Sequence, residues 1–123
     1  MLFTGCLVRG YSSHILQFTG LPSFLRTCKA VQPTNIMLPP SLAVAISQIL
    51  SPGDDSLRSV RKYIMPGMSL PVEARKKFLA AIGNDPVIIK PYGNTELNII
   101  TGKTDSNKHP DSVGPLMANM SIK

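Results

Sequence analysis

A chain of 123 residues that is 43% hydrophobic holds one domain at most and is too apolar to be disordered throughout. Only 6% of it is aromatic, with no Trp, and eleven prolines and nine glycines exclude long uninterrupted elements, so the expected core is small and aliphatic. The formal net charge of +6 favours an anionic partner, whether nucleic acid, anionic lipid or an acidic protein surface.

The charge is unevenly placed. The first acidic residue is Asp54, and the chain before it carries Arg9, Arg26 and Lys29 with nothing negative. Cys6 and Cys28 are the only cysteines, there is no CxxC, and His14 and His109 sit apart from them. This pattern gives no disulfide framework, and it lacks the four ligands of a structural zinc site, so no metal is expected.

Residues 1–30 bear Arg, Ser and Leu without acid, the composition of a mitochondrial targeting segment. Within it, Arg9-Gly10-Tyr11-Ser12-Ser13 resembles the matrix processing site, in which Arg precedes an aromatic residue by two places and a small residue follows. The resemblance covers five residues and implies cleavage between Tyr11 and Ser12, with a mature chain in the mitochondrial matrix. The alternative is an uncleaved flexible arm on a cytoplasmic protein. Residues 31–40 read as an irregular linker, because Pro33 and Pro39-Pro40 interrupt any helix there.

The next three segments read as short helices. Residues 41–50 are fenced by Pro40 and Pro52-Gly53, and Leu42, Ala45, Ile46, Ile49 and Leu50 share a face. This is the most apolar run, yet it is far shorter than the ~20 residues of a membrane span, and no transmembrane segment is expected. Residues 56–65 follow the capping candidates Asp54, Asp55 and Ser56, with Leu57, Val60 and Ile64 on one side and Arg58, Arg61 and Lys62 on the other. Residues 70–82 carry the clearest helical signal. Ser69 is placed to cap it, Pro71 sits in the first turn, and Gly83 ends it; Val72, Phe78, Leu79 and Ile82 form its apolar stripe, with Arg75, Lys76 and Lys77 mostly off it. Beyond Gly83 the texture changes. Val87–Lys90 and Thr95–Thr101 are strand-like around the turn formers Pro91-Tyr92-Gly93-Asn94, so 87–101 reads as a β-hairpin. Residues 102–123 are polar and aperiodic and read as a disordered tail.

The expected fold class is therefore α+β: a small bundle of three short helices with a C-terminal hairpin, folded over 41–101, with flexible termini. No catalytic constellation emerges. Thr101-Gly102-Lys103-Thr104 contains a Gly-Lys-Thr but lacks the upstream glycine of a phosphate loop, and Asp54-Asp55 reads as a helix cap. No catalytic residue and no cofactor is expected. What remains is the set Arg58, Arg61, Lys62, Arg75, Lys76 and Lys77, which the reading merges into one surface for an anionic partner. The expected role is a non-enzymatic accessory subunit or assembly factor of a larger mitochondrial complex, docking a protein partner through the apolar stripe and the basic faces. The alternative is an RNA-binding protein peripheral to the mitochondrial ribosome, with phosphate contacts from the same cations. A second alternative is a recently arisen or truncated reading frame without a stable fold of its own.

Overall fold

The computed structural model describes residues 8, 10–51, 53–94, 96, 98–102, 108–109 and 112–121. Helix α1 (Leu21–Val31) precedes a three-stranded parallel sheet of β1 (Asn35–Met37), β2 (Lys62–Ile64) and β3 (Val87–Ile89), which lie side by side in chain order. Helix α2 (Pro40–Ile49) joins β1 to β2, and α3 (Val72–Ile82) joins β2 to β3. After β3, the two-residue strands β4 (Gly93–Asn94) and β5 (Asn98–Ile99) pair antiparallel.

Parallel neighbours require a crossover, and two crossovers of the usual right hand that step in one direction leave both helices on one face. Helices α2 and α3 pack against each other accordingly. Ile36, Tyr63 and Ile88 stand in register at the strand centres, buried with Ala43 and Ile46 of α2 and Phe78 and Ile82 of α3. The rings of Tyr63 and Phe78 meet edge to face, with centroids 5.2 Å apart and planes at 79°. That arrangement sets the positive edge of one ring on the negative face of the other. Phe24, Leu25 and Cys28 of α1 join the same core. Burial holds the Tyr63 phenol strongly in its neutral form, and the nearby Cys28 thiol adds to this.

Five segments differ from the sequence reading, each for a physical reason. Residues 21–30, read as part of a targeting segment or flexible arm outside the folded 41–101, lie in α1, because Phe24, Leu25 and Cys28 bury one helix face in the core. Residues 56–65 form no helix. Asp54 Oδ1 accepts the Ser56 N–H at 2.8 Å, and the turn continues with Arg58 N–H to the Asp55 carbonyl at 3.1 Å and Val60 N–H to the Leu57 carbonyl at 3.1 Å. The chain then extends as β2, the central strand, and takes ladder bonds from β1 and β3 together. A ten-residue helix is marginal alone, while the β-branched and aromatic Val60, Tyr63 and Ile64 fit a sheet centre. The linker 31–40 contains β1, because Thr34 O receives the N–H of both Arg61 (2.8 Å) and Lys62 (3.1 Å) and starts the parallel pairing. Val87–Ile89 pairs with β2 in the parallel sheet, which leaves only the short β4–β5 ladder of the expected hairpin. Finally, part of 102–123 folds back: Met117 N–H donates to the Ile100 carbonyl at 2.8 Å, and Thr101 and Leu116 form an antiparallel bridge.

Candidate functional site

In an open parallel sheet the strands all point one way, so the loops that leave their carboxyl ends gather along one edge. That edge is where α/β sheets ordinarily hold ligands. Here it is built from Pro39 after β1, residues 65–71 after β2 and residues 90–94 after β3. Two facts show that the second and third loops converge. The Met65 N–H donates to the Ile89 carbonyl at 2.8 Å, and the Lys90 ammonium donates to the Ser69 hydroxyl at 3.4 Å. Ser69, expected to cap the helix, therefore faces the next loop instead, and the N-cap position of α3 is taken by Pro71 without a side-chain cap. The loop after β2 turns at Gly67, whose φ of +92° suits a residue without a side chain.

The loop after β3 is anchored from below. Tyr92 N–H donates to Thr101 Oγ1 at 3.3 Å, while the Tyr92 carbonyl accepts from Ile100 N–H at 2.8 Å and Thr101 N–H at 3.1 Å. The Thr101 hydroxyl, itself buried, donates to the Val113 carbonyl at 2.8 Å. The result is a fixed backbone under an aromatic ring that stays 55% exposed. A flat, preorganised ring beside Gly93 and the polar pair Ser69–Lys90 suits a ligand with a π face and hydrogen-bonding groups.

The opposite edge carries different features. A shallow cleft of about 600 Å³ opens there, lined by Asp54, Asp55, Arg58 and the last turn of α3. Lys29 reaches Asp55 across its rim at 2.6 Å. The hydrogen bond holds the Asp55 carboxyl below its ordinary range and raises the Lys29 ammonium. Both side chains are solvated, and this cleft lies away from the loops that a parallel sheet offers to ligands.

The six cations expected to form one surface are separated by the fold. Arg58 lines the cleft at the amino edge, and Arg61 stands where β2 begins. Lys62 lies out of phase with buried Tyr63, on the sheet face away from the helices. Arg75, Lys76 and Lys77 are on α3, where Lys76 pairs with Glu73 at 3.0 Å. The merged patch depended on a helix at 56–65, and the strand there sends its side chains to alternating faces. Of the expected processing site, Arg9 lies outside the described residues, while Tyr11 and Ser12 are exposed. Among the described residues, no group of His, Cys, Asp and Glu is placed to hold a metal ion. No helix among them is long and apolar enough to cross a membrane.

A βαβαβ unit with anchored loops along its carboxyl edge defines an α/β architecture. The family model described as AMP-binding enzyme matches residues 1–123, and the chain belongs to that family. Solved structures agree on the fold. VinN superposes with a TM-score of 0.67 at 20% identity, over 78% of this chain and 25% of that one. The anthranilate CoA ligase AuaEII in complex with anthranoyl-AMP gives 0.61 at 24% identity, over 80% and 20%. MatB from Rhodopseudomonas palustris gives 0.62 at 22% identity, over 79% and 19%. The chain thus spans about a quarter of VinN and less of the other two. No curated protein matches it by sequence.

Family membership overturns the expected function. The chain belongs with enzymes, and the readings as a non-enzymatic accessory subunit and as an RNA-binding protein fall with that finding. The sequence reading did not join the carboxyl-edge loops into a site: it took Pro66–Met68 for a link between helices, Ser69 for a helix cap and Pro91–Asn94 for a hairpin turn. Their signal was the recurrence of a short β-branched strand followed by a Pro/Gly loop, at Tyr63-Ile64 and again at Val87–Ile89.

Proposed function

We propose that this chain forms the nucleotide-facing edge of an enzyme that joins a carboxylic acid to AMP as an acyl-adenylate. The observation that carries the reading is the convergence of the loops after β2 and β3 at the carboxyl edge, with Tyr92 exposed on a pinned backbone. Family membership supplies AMP as the ligand, and the related fold of AuaEII, solved with anthranoyl-AMP, supplies the acyl-adenylate class. In this reading the adenine lies against the Tyr92 ring, the close-approaching backbone at Gly93 leaves room for it, and Ser69 and Lys90 bond its polar groups. Stacking of a base on an aromatic side chain contributes about 1–3 kcal/mol.

The test is a titration of the isotope-labelled chain with AMP, followed by amide NMR shifts. Saturable shifts grouped at residues 65–71 and 90–94, weakened about tenfold by Tyr92→Ala, are the expected result. Shifts grouped instead around Asp54, Asp55 and Arg58, or no saturable response, overturn the assignment.

A further inference from the structure

Helix α1 is held differently from the rest of the fold. Helices α2 and α3 connect strands and pack closely on each other, while α1 precedes the sheet and shares only slight packing with the other helices and strands. Its buried face is Phe24, Leu25 and Cys28, and Lys29 pairs with Asp55. That pair is solvated at both ends, and such pairs contribute little. The helix ends are weak as well. Gly20 at the N-cap gives no side-chain bond, the first turn holds no acid, and Gln32 closes the helix at a φ of +50°, a left-handed conformation that disfavours a side chain. The chain is anchored immediately after Gln32. The Pro33 carbonyl accepts the Ser59 hydroxyl at 2.9 Å, and the Thr34 carbonyl accepts the Arg61 and Lys62 N–H groups. Before α1, residues 11–19 are exposed and form no helix or strand.

A helix anchored at one end, with few buried contacts, opens before the core does. What α1 covers is a thiol and an unsatisfied hydroxyl. Cys28 is 5% exposed, and the Tyr63 hydroxyl near it is buried without a hydrogen-bond partner among the described residues. That hydroxyl bonds to water only when the cover lifts, which favours the open form. In the closed form burial keeps the thiol protonated, whereas the nucleophile is the thiolate. We propose that α1 is a strap that opens as a unit about Gln32-Pro33 while β1–β3, α2 and α3 stay folded, and that an electrophile reaching Cys28 in the open form locks it open. An adduct adds several heavy atoms at a core position, and close-packed cores do not take them. The strap is independent of the loops assigned to the nucleotide.

The probe is N-ethylmaleimide on a Cys6→Ser chain, whose only thiol is Cys28. The thiolate sulfur adds to the maleimide double bond and the proton ends on the neighbouring carbon, so nothing leaves. Mass spectrometry follows labelling at pH 7 in rising urea, and circular dichroism follows global unfolding of the same chain. The expected labelling is slower than that of the urea-unfolded chain, yet about tenfold or more faster than the global equilibrium allows, and nearly independent of urea below the transition. Lys29→Met speeds it about two- to fivefold. Ile46→Val in α2, which favours global unfolding about fivefold, leaves it unchanged. In amide hydrogen exchange of the adduct, residues 21–31 lose protection while β2 keeps it. Labelling at the unfolded-chain rate, labelling that tracks the global transition and rises in Ile46→Val, or an adduct that keeps α1 protected or loses β2 overturns the proposal. The urea dependence of the Cys6→Ser chain decides the matter even if a further variant fails to fold.

Discussion

Replacing Tyr63 with Phe stabilises the protein. Tyr63 is fully buried at the centre of the central strand, and its hydroxyl makes no hydrogen bond among the described residues. An unpaired buried polar group costs about 1–3 kcal/mol, because the water it leaves is not replaced. Phe keeps the ring and the edge-to-face contact with Phe78 at 5.2 Å, a pair worth about 0.5–1.5 kcal/mol. What Phe loses is the packing of one oxygen, smaller than the methyl whose removal in Ile→Val costs about 0.5–1.5 kcal/mol. The difference leaves a net gain of about 0.5–2 kcal/mol. In urea, where a small domain loses about 1–3 kcal/mol per M, the unfolding midpoint rises by roughly half a molar at unchanged slope. Far-UV circular dichroism during urea titration measures it. A midpoint that falls on Tyr63→Phe refutes the reasoning, since it requires a partner for the hydroxyl, such as an internal water.

Other expected outcomes follow from the same core and its edges. Burial pushes the Cys28 thiol from 9.0 up to about 11, and the Tyr63 phenol is pushed well above 10.0. Both groups are neutral in the folded chain and ionise earlier in the unfolded one, so their stability is complete below pH 9 and is lost as pH rises from there. The urea midpoint is therefore flat from pH 7 to 8 and falls between pH 9 and 11, and Cys28→Ala delays the fall until the phenol of the unfolded chain titrates. A midpoint that does not move across that window contradicts the burial of both groups. Asn84→Ala lowers the midpoint by the equivalent of about 1 kcal/mol, because its Nδ2 donates to the Val60 carbonyl at 2.9 Å and fixes the entry into β2. An unchanged midpoint shows that water replaces the bond. Gly83→Ala costs about 1–2 kcal/mol at its φ of +64°, purely from the backbone, since a methyl there meets nothing within 4 Å.

Helix ends are legible in this sequence where Pro and Gly mark them. Pro40 opens α2 and Gly83 closes α3 in the left-handed conformation. The middle of the sheet is not legible in the same way. Leu57, Val60 and Ile64 fit a helical stripe, yet residues 62–64 are a strand because β1 and β3 offer backbone partners on both sides. Those partners lie about 25 residues away in either direction, beyond the reach of any local window. Strands of three residues also carry too few positions for alternation to show. Asn35–Met37 reads as linker for that reason, and its pairing shows only when Thr34 meets Arg61 and Lys62.

The candidate site was hidden by the same misplacement. A ligand edge exists only once three strands run parallel, because only then do the loops at 65–71 and 90–94 leave the sheet on one side. With a helix at 56–65 the first loop joins two helices, and with a hairpin at 87–101 the second becomes its turn. Neither residue of the Ser69–Lys90 pair has a distinguishing local pattern, and the two are 21 positions apart. The cations dominated the sequence reading because charge is visible without a fold. Once β2 is in place, its alternation separates them and leaves Lys62 on the sheet face away from the helices. The residues brought together are instead a serine and a lysine, Ser69 and Lys90, whose meeting depends on the topology alone.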